Sequence, residues 1–251
     1  MRVEIVGLSG LPLIGPGDDL GGLLAAALER QGAQLRDEDI LVVAQKVVSK
    51  AEGRMVDLRE VAPSPEAQAI ALRDGRDPRL VEVVLRESNE VVRAAPVALI
   101  VEHRLGCVCA HGGVDRSNVA GSDEIALLLP LDPDASARRL RERLREIAGA
   151  APAVLISDSQ GRAFRRGVVG VALGCAGLEP LVDRRGELDL FGRSLQITQV
   201  GTADQVASAA SLVMGEGDEA IPAVLIRGLP YRRSERPARV LLRPKAEDLF
   251  R

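Results

Sequence analysis

The sequence predicts a mixed α/β or α+β protein, on three observations. Apolar runs rich in β-branched residues, such as 97–102 (VALIVE) and 153–157 (AVLIS), alternate with segments that open on an Asp and continue with leucines at helical spacing. Aromatic residues make up 2% of the chain, with no Trp and one Tyr, so Val, Leu, Ile and Ala must fill the core. Neither G-x-x-x-x-G-K-[ST] nor a G-x-G-x-x-G after a strand occurs, which excludes P-loop and Rossmann nucleotide folds.

Taken in order, the chain opens with a strand over 2–6, then a Gly/Pro loop (GLPLIGPGDDL, 10–20). Asp19 caps the first helix, whose stripe is Leu20, Leu23, Leu24 and Leu28. The run ILVVAQKVV predicts a strand over 40–48, interrupted by Lys46, with Lys50 just beyond. An unpaired lysine there must snorkel, pair or meet a ligand anion; the alternative is an edge-strand lysine that discourages aggregation. Asp77-Pro78 opens a helix reaching Leu85, with Pro at its first position. Strands follow over 97–102, 107–110 and 125–129. Asp132-Pro133 opens a long helix with Leu140, Leu144 and Ile147 as its buried edge; its arginine-rich outer face is laced with Glu142 and Glu146. Strands over 153–157, 168–174 and 195–200 precede a small-residue helix over 203–214, a strand over 223–227 and a short strand over 239–242. Residues 230–238 are linker-like, but no mid-chain linker divides the sequence. Residues 1–251 read as a single unit, of one lobe or two, with 230–251 packing on it as a C-terminal extension.

Composition excludes several functions. A net charge of −3 and a scarcity of aromatics argue against nucleic acid and anionic membrane as partners. No apolar run approaches the ~20 residues that span a bilayer, and the N-terminus lacks the apolar region of a signal peptide. A cytoplasmic location with reduced thiols is expected, since three cysteines make no disulfide framework. His103, Cys107, Cys109 and His111 can be drawn as a zinc site, but Cys-x-Cys is not the zinc-knuckle spacing. Strand alternation puts both thiols on one face, where they read better as small core residues.

Polar chemistry collects where apolar strands end. AHGGVDRSN (110–118) places Asp115, Arg116, Ser117 and Asn118 after a strand, and its two glycines are expected to let backbone approach a ligand. ISDSQGR (156–162) offers Asp158, Ser159 and Arg162, and MGEGDEAI (214–221) is an acidic, glycine-rich turn. Carboxylate and hydroxyl oxygens suit a hard divalent cation, with phosphate oxygens completing its shell. The residues alone support a metal site from Asp115, Asp158 and Glu216, with lysines and arginines for phosphate, though a plain turn remains open for each segment.

Several blocks in order, AQKVVSKAEGR, GVDRSNV, ISDSQGR with RRGVVGVALG, LVDRRGELDLFGR and LVMGEGDEAIPAVLIRG, resemble the coenzyme F-420-0:L-glutamate ligase family, and LLRPKAEDLF resembles its usual ending. The resemblance implies a family-specific α+β fold, an intertwined homodimer, and ligation of L-glutamate to the terminal carboxylate of the deazaflavin precursor F-420-0. GTP would be co-substrate, an acyl phosphate the intermediate, and two divalent ions (Mg²⁺ or Mn²⁺), with K⁺ a further candidate, the cofactors. By the same resemblance Asp115 and Asp158 ligate one divalent ion, and Ser159 and Glu216 the second. The GTP contacts it implies are Leu11, Pro12, Leu13, Ile14, Lys46, Asn118 and the turn Met214, Gly215, Glu216, Gly217, Asp218, Glu219, Ala220 and Ile221. Arg116 and Arg162 are added as candidates for phosphate or substrate carboxylate, beside Asp115 and Asp158 as catalytic residues. The chain departs from the family at His111-Gly112-Gly113 and at Gln160, Ala163 and Phe164, all beside these positions. A metal-dependent phosphohydrolase and a non-catalytic nucleotide-binding module are the rival readings.

Overall fold

The computed structural model describes residues 1–119 and 121–248, so the last three residues of the expected C-terminal extension lie outside the described residues. In chain order the first half holds β1 (Glu4–Gly7), α1 (Leu20–Arg30), β2 (Ile40–Ala44), α2 (Gln45–Ala51), β3 (Met55–Asp57), α3 (Pro65–Asp74), α4 (Pro78–Arg86), β4 (Ser88–Ala95), β5 (Ala98–His103), β6 (Val108–Ala110) and β7 (Ile125–Leu127). Then follow α5 (Pro133–Ala148), β8 (Ala153–Arg162), β9 (Arg165–Ala176), β10 (Val182–Asp183), β11 (Gln199–Val200), α6 (Thr202–Met214) and β12 (Ala223–Arg227).

Five strands form the central sheet in the order β1-β12-β2-β8-β9, in which only β2 and β8 run parallel. Its middle strands are apolar on both faces because both faces are covered. Leu41, Val43, Val154 and Ile156 pack with α1 and α5; Ile40, Val42, Ala153 and Leu155 pack with α6. Two glycines of β9 let helices rest directly on its backbone. A Cβ on Gly174 would lie 2.2 Å from the Pro133 carbonyl carbon, and one on Gly170 would lie 2.3 Å from the Ala207 carbonyl oxygen. Buried Asp39 receives two hydrogen bonds from the Arg227 guanidinium, at 2.8 and 2.6 Å, which tie the start of β2 to the end of β12. The chain between β2 and β8 adds a three-stranded sheet, β4-β5-β6, and the pair β3-β7. Ala67, Ile70, Val81 and Val84 of α3 and α4 pack against Leu99 and Val101 of β5.

The architecture is the mixed α+β arrangement that the sequence predicts. Its helix starts follow from local chemistry: Asp19, Asp77 and Asp132 each accept a backbone N–H of the first turn, from Gly22, Arg79 and Ala135. Other expectations need correcting. The strand 40–48 stops at Ala44, and its second half is α2, where the Ser49 hydroxyl donates to Gln45 across one helical turn. A continuous apolar run carries no period by which to choose between the two. Residues 239–242 form no strand; Pro237 and Pro244 bracket a 3-10 turn at Ala238–Leu241. Only Gln199–Val200 of 195–200 is strand, and 125–129 is paired only at Ile125–Leu127. Ile147 is exposed, and the buried edge of α5 is Ala137, Leu140 and Leu144. Its outer arginines do more than meet Glu142 and Glu146: Arg139 reaches Glu52, Arg141 reaches Glu235, and Arg143 reaches Asp19. The sequence also gives no sign of β3, α3, β4 and β10, and it shortens β8 and β9: Asp158 and Ser159, expected to end a strand at 157, lie inside β8, which pairs with β9 as far as Arg162.

Candidate functional site

β2 and β8 are parallel neighbours whose pairing ends at Ala44 and Ser157; β2 stops there, while β8 runs on beside β9 to Arg162 and carries Asp158 and Ser159 just past the end of β2. β12 starts antiparallel to β2, with Ala223 opposite Val43, and brings the 214–221 turn to the same sheet end. The loop after β6 arrives there too, because the backbone of Asp115 bridges Leu127 in both directions, at 3.0 and 2.8 Å.

Asp115 is the hub of one group. Its Oδ1 accepts the backbone N–H of Ser117 at 2.7 Å and the Ser117 hydroxyl at 2.8 Å, while Lys46 Nζ lies 2.8 Å from Oδ2. Lys46 also donates to the Ser117 hydroxyl and carbonyl. The Lys46 ammonium and these hydrogen bonds hold the Asp115 carboxyl below the usual carboxylate range, against the effect of its burial. Lys46 is therefore neither in a strand nor at a sheet edge: it lies on the first turn of α2, beyond a central strand. One helical turn on, Lys50 donates to the Asn118 carbonyl at 2.6 Å. Burial, with the charge of Lys46 beside it, lowers the Lys50 pKa. The Asn118 side chain in turn donates to the Gly217 carbonyl at 3.0 Å, joining the 115–118 loop to the acidic turn.

Asp158 and Ser159 leave opposite faces of β8. Burial, chiefly, pushes the Asp158 carboxyl up to about 6, and the charge of Asp115 adds to the rise, whereas hydrogen bonds from Gln160 and the Ser159 backbone and the charge of Lys46 oppose it. Gln160 Nε2 donates to Asp158 Oδ2 at 3.2 Å. On the other face the Ser159 hydroxyl donates to Glu216 Oε1 at 2.6 Å. The sheet end thus carries two oxygen groups, Asp115 with Asp158 and Ser159 with Glu216. The three carboxylates Asp115, Asp158 and Glu216 do not converge on one point: among the described residues no three His, Cys, Asp or Glu side chains cluster closely enough to cage an ion.

The remaining candidates have mixed placements. Ile14 is buried, Leu11 half-buried, and Pro12 and Leu13 exposed; just beyond them Gly17 donates to the Ala51 carbonyl, which fastens this loop to the end of α2. Met214 and Ile221 pack on the α6 side of the core, and Met214 sulfur accepts the Ser157 hydroxyl. Gly215, at φ +70°, ends α6, and Glu219 folds back to accept the Gly217 N–H at 2.8 Å, which makes it a brace of the turn. Asp218 is exposed and Ala220 has φ +54°. Arg116 is exposed, and its charge acts on Asp77. Arg162 sits at the tip of the β8–β9 hairpin and donates to the Arg166 carbonyl. The glycines before Asp115 face protein rather than open space: a Cβ on Gly112 would lie 3.3 Å from Val101, and one on Gly113 2.8 Å from Leu129. Cys107 and Cys109 pack around Leu129 as small core residues. Ser117, Lys50 and Gln160 belong to the site but are not among the predicted site residues. Asp-x-Ser is an Asx-turn pattern, and Lys46 and Lys50 share a face at i,i+4, a signal that a strand assignment conceals.

Comparison with known proteins agrees with this order of motifs. The family model for F420-0:Gamma-glutamyl ligase matches residues 10–228. The chain is 51% identical to the coenzyme F420:L-glutamate ligase of Methanothermobacter thermautotrophicus, with all of both chains covered. It is 49% identical to that of Methanopyrus kandleri, covering all of this chain and 98% of the relative. It is 45% identical to that of Archaeoglobus fulgidus, covering all of this chain and 97% of the relative. No helix among the described residues is long and apolar enough to cross a membrane. The chain belongs to the F420-0:gamma-glutamyl ligase family and is an enzyme of the ligase class.

Proposed function

We propose that this enzyme joins L-glutamate, through its amine, to the terminal carboxylate of F-420-0 in coenzyme F-420 biosynthesis, with GTP as phosphoryl donor, and adds further γ-linked glutamates in the same way. The observation that carries the reading is the pair of oxygen groups flanked by Lys46 and Lys50 where β2 ends and β8 runs past it. A carboxylate raised to about 6 beside a second carboxylate is short of positive charge, and the donors are the hard oxygens that Mg²⁺ and Mn²⁺ prefer. In this reading Asp115 and Asp158 hold one divalent ion, and Ser159 and Glu216 the other. Bound there, such ions neutralise charge on the transferring phosphoryl group.

The acceptor carboxylate oxygen forms a bond to the γ-phosphorus, and GDP leaves with the bonding pair. The glutamate nitrogen then bonds to the acyl carbon, phosphate leaves, and the nitrogen gives up its proton. Lys46 and Lys50 offset the repulsion between carboxylate and triphosphate. Asn118, bonded to Gly217, makes the 115–118 loop and the 214–221 turn one surface for the nucleotide, with Leu11 to Ile14 completing it. Arg116, exposed on that loop, is offered to phosphate or carboxylate; Arg162 has the same role only from the hairpin tip. The reading includes K⁺ as a further ion, a cytoplasmic location and a homodimer. Exposed Leu190, Phe191 and Ile197, 87 to 100% accessible, support the dimer.

Mass spectrometry after incubation with F-420-0, GTP, glutamate and Mn²⁺ tests the reaction and counts the glutamates added. Phosphate release should require both F-420-0 and glutamate. Release without either indicates a phosphohydrolase instead, and GTP binding without turnover a non-catalytic module.

A further inference from the structure

We propose that a cavity of about 540 Å³ beside Asp158 is the acceptor pocket, taking an organic anion with a multi-ring apolar body and holding its negative groups on Arg104, Arg138 and Arg239. The proposal rests on the ligase reading above. The cavity lies between the β5–β6 turn, the start of α5, β9 and the 3-10 turn at Ala238–Leu241.

Its connection to the site is direct. Gln160, which donates to Asp158, is part of the wall, and Val171, also in the wall, stands opposite Asp158 in the β8–β9 ladder. A group bound here reaches Asp158 without crossing the sheet.

Its charge is less balanced than its composition. Three acids line it, and the fold already engages each. Asp134 Oδ1 accepts the backbone N–H groups of Cys175 and Ala238, at 2.8 and 2.7 Å. Asp204 accepts that of Ala172 at 2.9 Å, and Asp132 caps α5 on Ala135 at 2.8 Å. The three guanidiniums are exposed and differently placed. Arg138 is 4.0 Å from Asp132, Arg104 acts on Glu87 through its charge, and neither Arg104 nor Arg239 makes a side-chain hydrogen bond or ion pair among the described residues. The recognition capacity left over is therefore cationic, and a guanidinium without a partner suits phosphate or carboxylate.

The apolar share sets the size of the body. Leu105, Leu131, Leu173, Leu241 and Leu242 line the same space, and Leu131 is 72% exposed. A volume of this order belongs to drug-sized ligands, roughly 300–1,000 Å³, and is far larger than free glutamate needs. The deazaflavin acceptor has the required flat body and anionic tail.

The test compares the wild-type enzyme with Arg104→Ala/Arg239→Ala and, as a second variant, Arg239→Glu, with melting curves to verify folding. Binding of F-420-0 is read from the fluorescence anisotropy of its deazaflavin, and KM is measured for each substrate separately. Loss of charge-assisted contacts should weaken F-420-0 binding about tenfold or more and raise its KM alike, leaving KM for GTP and glutamate within about twofold. Arg239→Lys should restore part of the affinity. Unchanged F-420-0 binding in both variants, with normal wild-type turnover, overturns the pocket and leaves the ligase reading intact. A rise in KM for GTP or glutamate instead also overturns it. A wild-type enzyme that neither binds nor extends F-420-0 overturns pocket and reading together.

Discussion

Replacing Asp158 by Asn is expected to stabilise the metal-free fold while ending turnover. Burial beside Asp115 raises this carboxyl from 3.8 to about 6. Between those values the folded protein holds a proton that the unfolded chain has released. Stability therefore falls as pH rises from about 3.8 to about 6, and levels off above. At 1.36 kcal/mol per pH unit, the ionised carboxylate destabilises the native state by at most about 3 kcal/mol at neutral pH. The amide keeps the shape and carries no charge, so Asp158→Asn should recover much of that above pH 6 and almost none near pH 4. Urea unfolding in chelator at pH 4, 5, 6 and 7.5 measures the difference between the two proteins. Mg²⁺ should then raise the wild-type midpoint by more than that of the variant, which keeps only the oxygen group of Ser159 and Glu216, since an ion bound only to the native state stabilises it. A stability difference that is the same at pH 4 and 7.5, or a variant less stable than wild type at pH 7.5, refutes the reasoning.

Asp115→Asn should abolish product formation with little change in melting temperature, because the Lys46–Asp115 pair is about one-third exposed and such pairs contribute about 1 kcal/mol or less; near-normal activity removes Asp115 from the site. Gly174→Ala should cost about 3 kcal/mol, since its Cβ meets the Pro133 backbone at 2.2 Å, whereas Gly161→Ala, with nothing within 4 Å, should unfold like wild type. Arg227→Ala leaves Asp39, 1% exposed, without its cation and should lower stability by about 3–5 kcal/mol in urea titrations, with partial recovery in the double variant that also carries Asp39→Asn. Exchanging GTP for ATP should sharply reduce turnover in the mass-spectrometric assay.

What the sequence made legible is what neighbours in sequence decide. The caps at Asp19, Asp77 and Asp132 are local, and so is the placing of polar residues directly after apolar runs at Asp115 and Asp158, although Asp158 lies within β8 and not at its end. The helix α3 escapes notice because its buried residues Ala67, Ile70 and Ala71 are mostly small, while Leu72 is 88% exposed and blurs the stripe. The strand β4 (SNEVVRAA) is too polar to read as a strand and exists by pairing with β5. Tertiary contact likewise decides the role of Gly112 and Gly113, which the sequence offers equally to a ligand or to the protein's own core. The pairing of Ser159 with Glu216 joins residues 57 positions apart, and neither segment alone announces it. Motif order across the chain identifies the family without any of these contacts.

The hydrogen bonds that knit the sheet end together span 71 positions from Lys46 to Ser117, 57 from Ser159 to Glu216 and 99 from Asn118 to Gly217. Such closures form late, after the intervening loops have lost their freedom. The Ser159–Glu216 and Asn118–Gly217 contacts therefore need the chain through residue 217, and the sheet they sit on needs β12, beyond that turn, between β1 and β2.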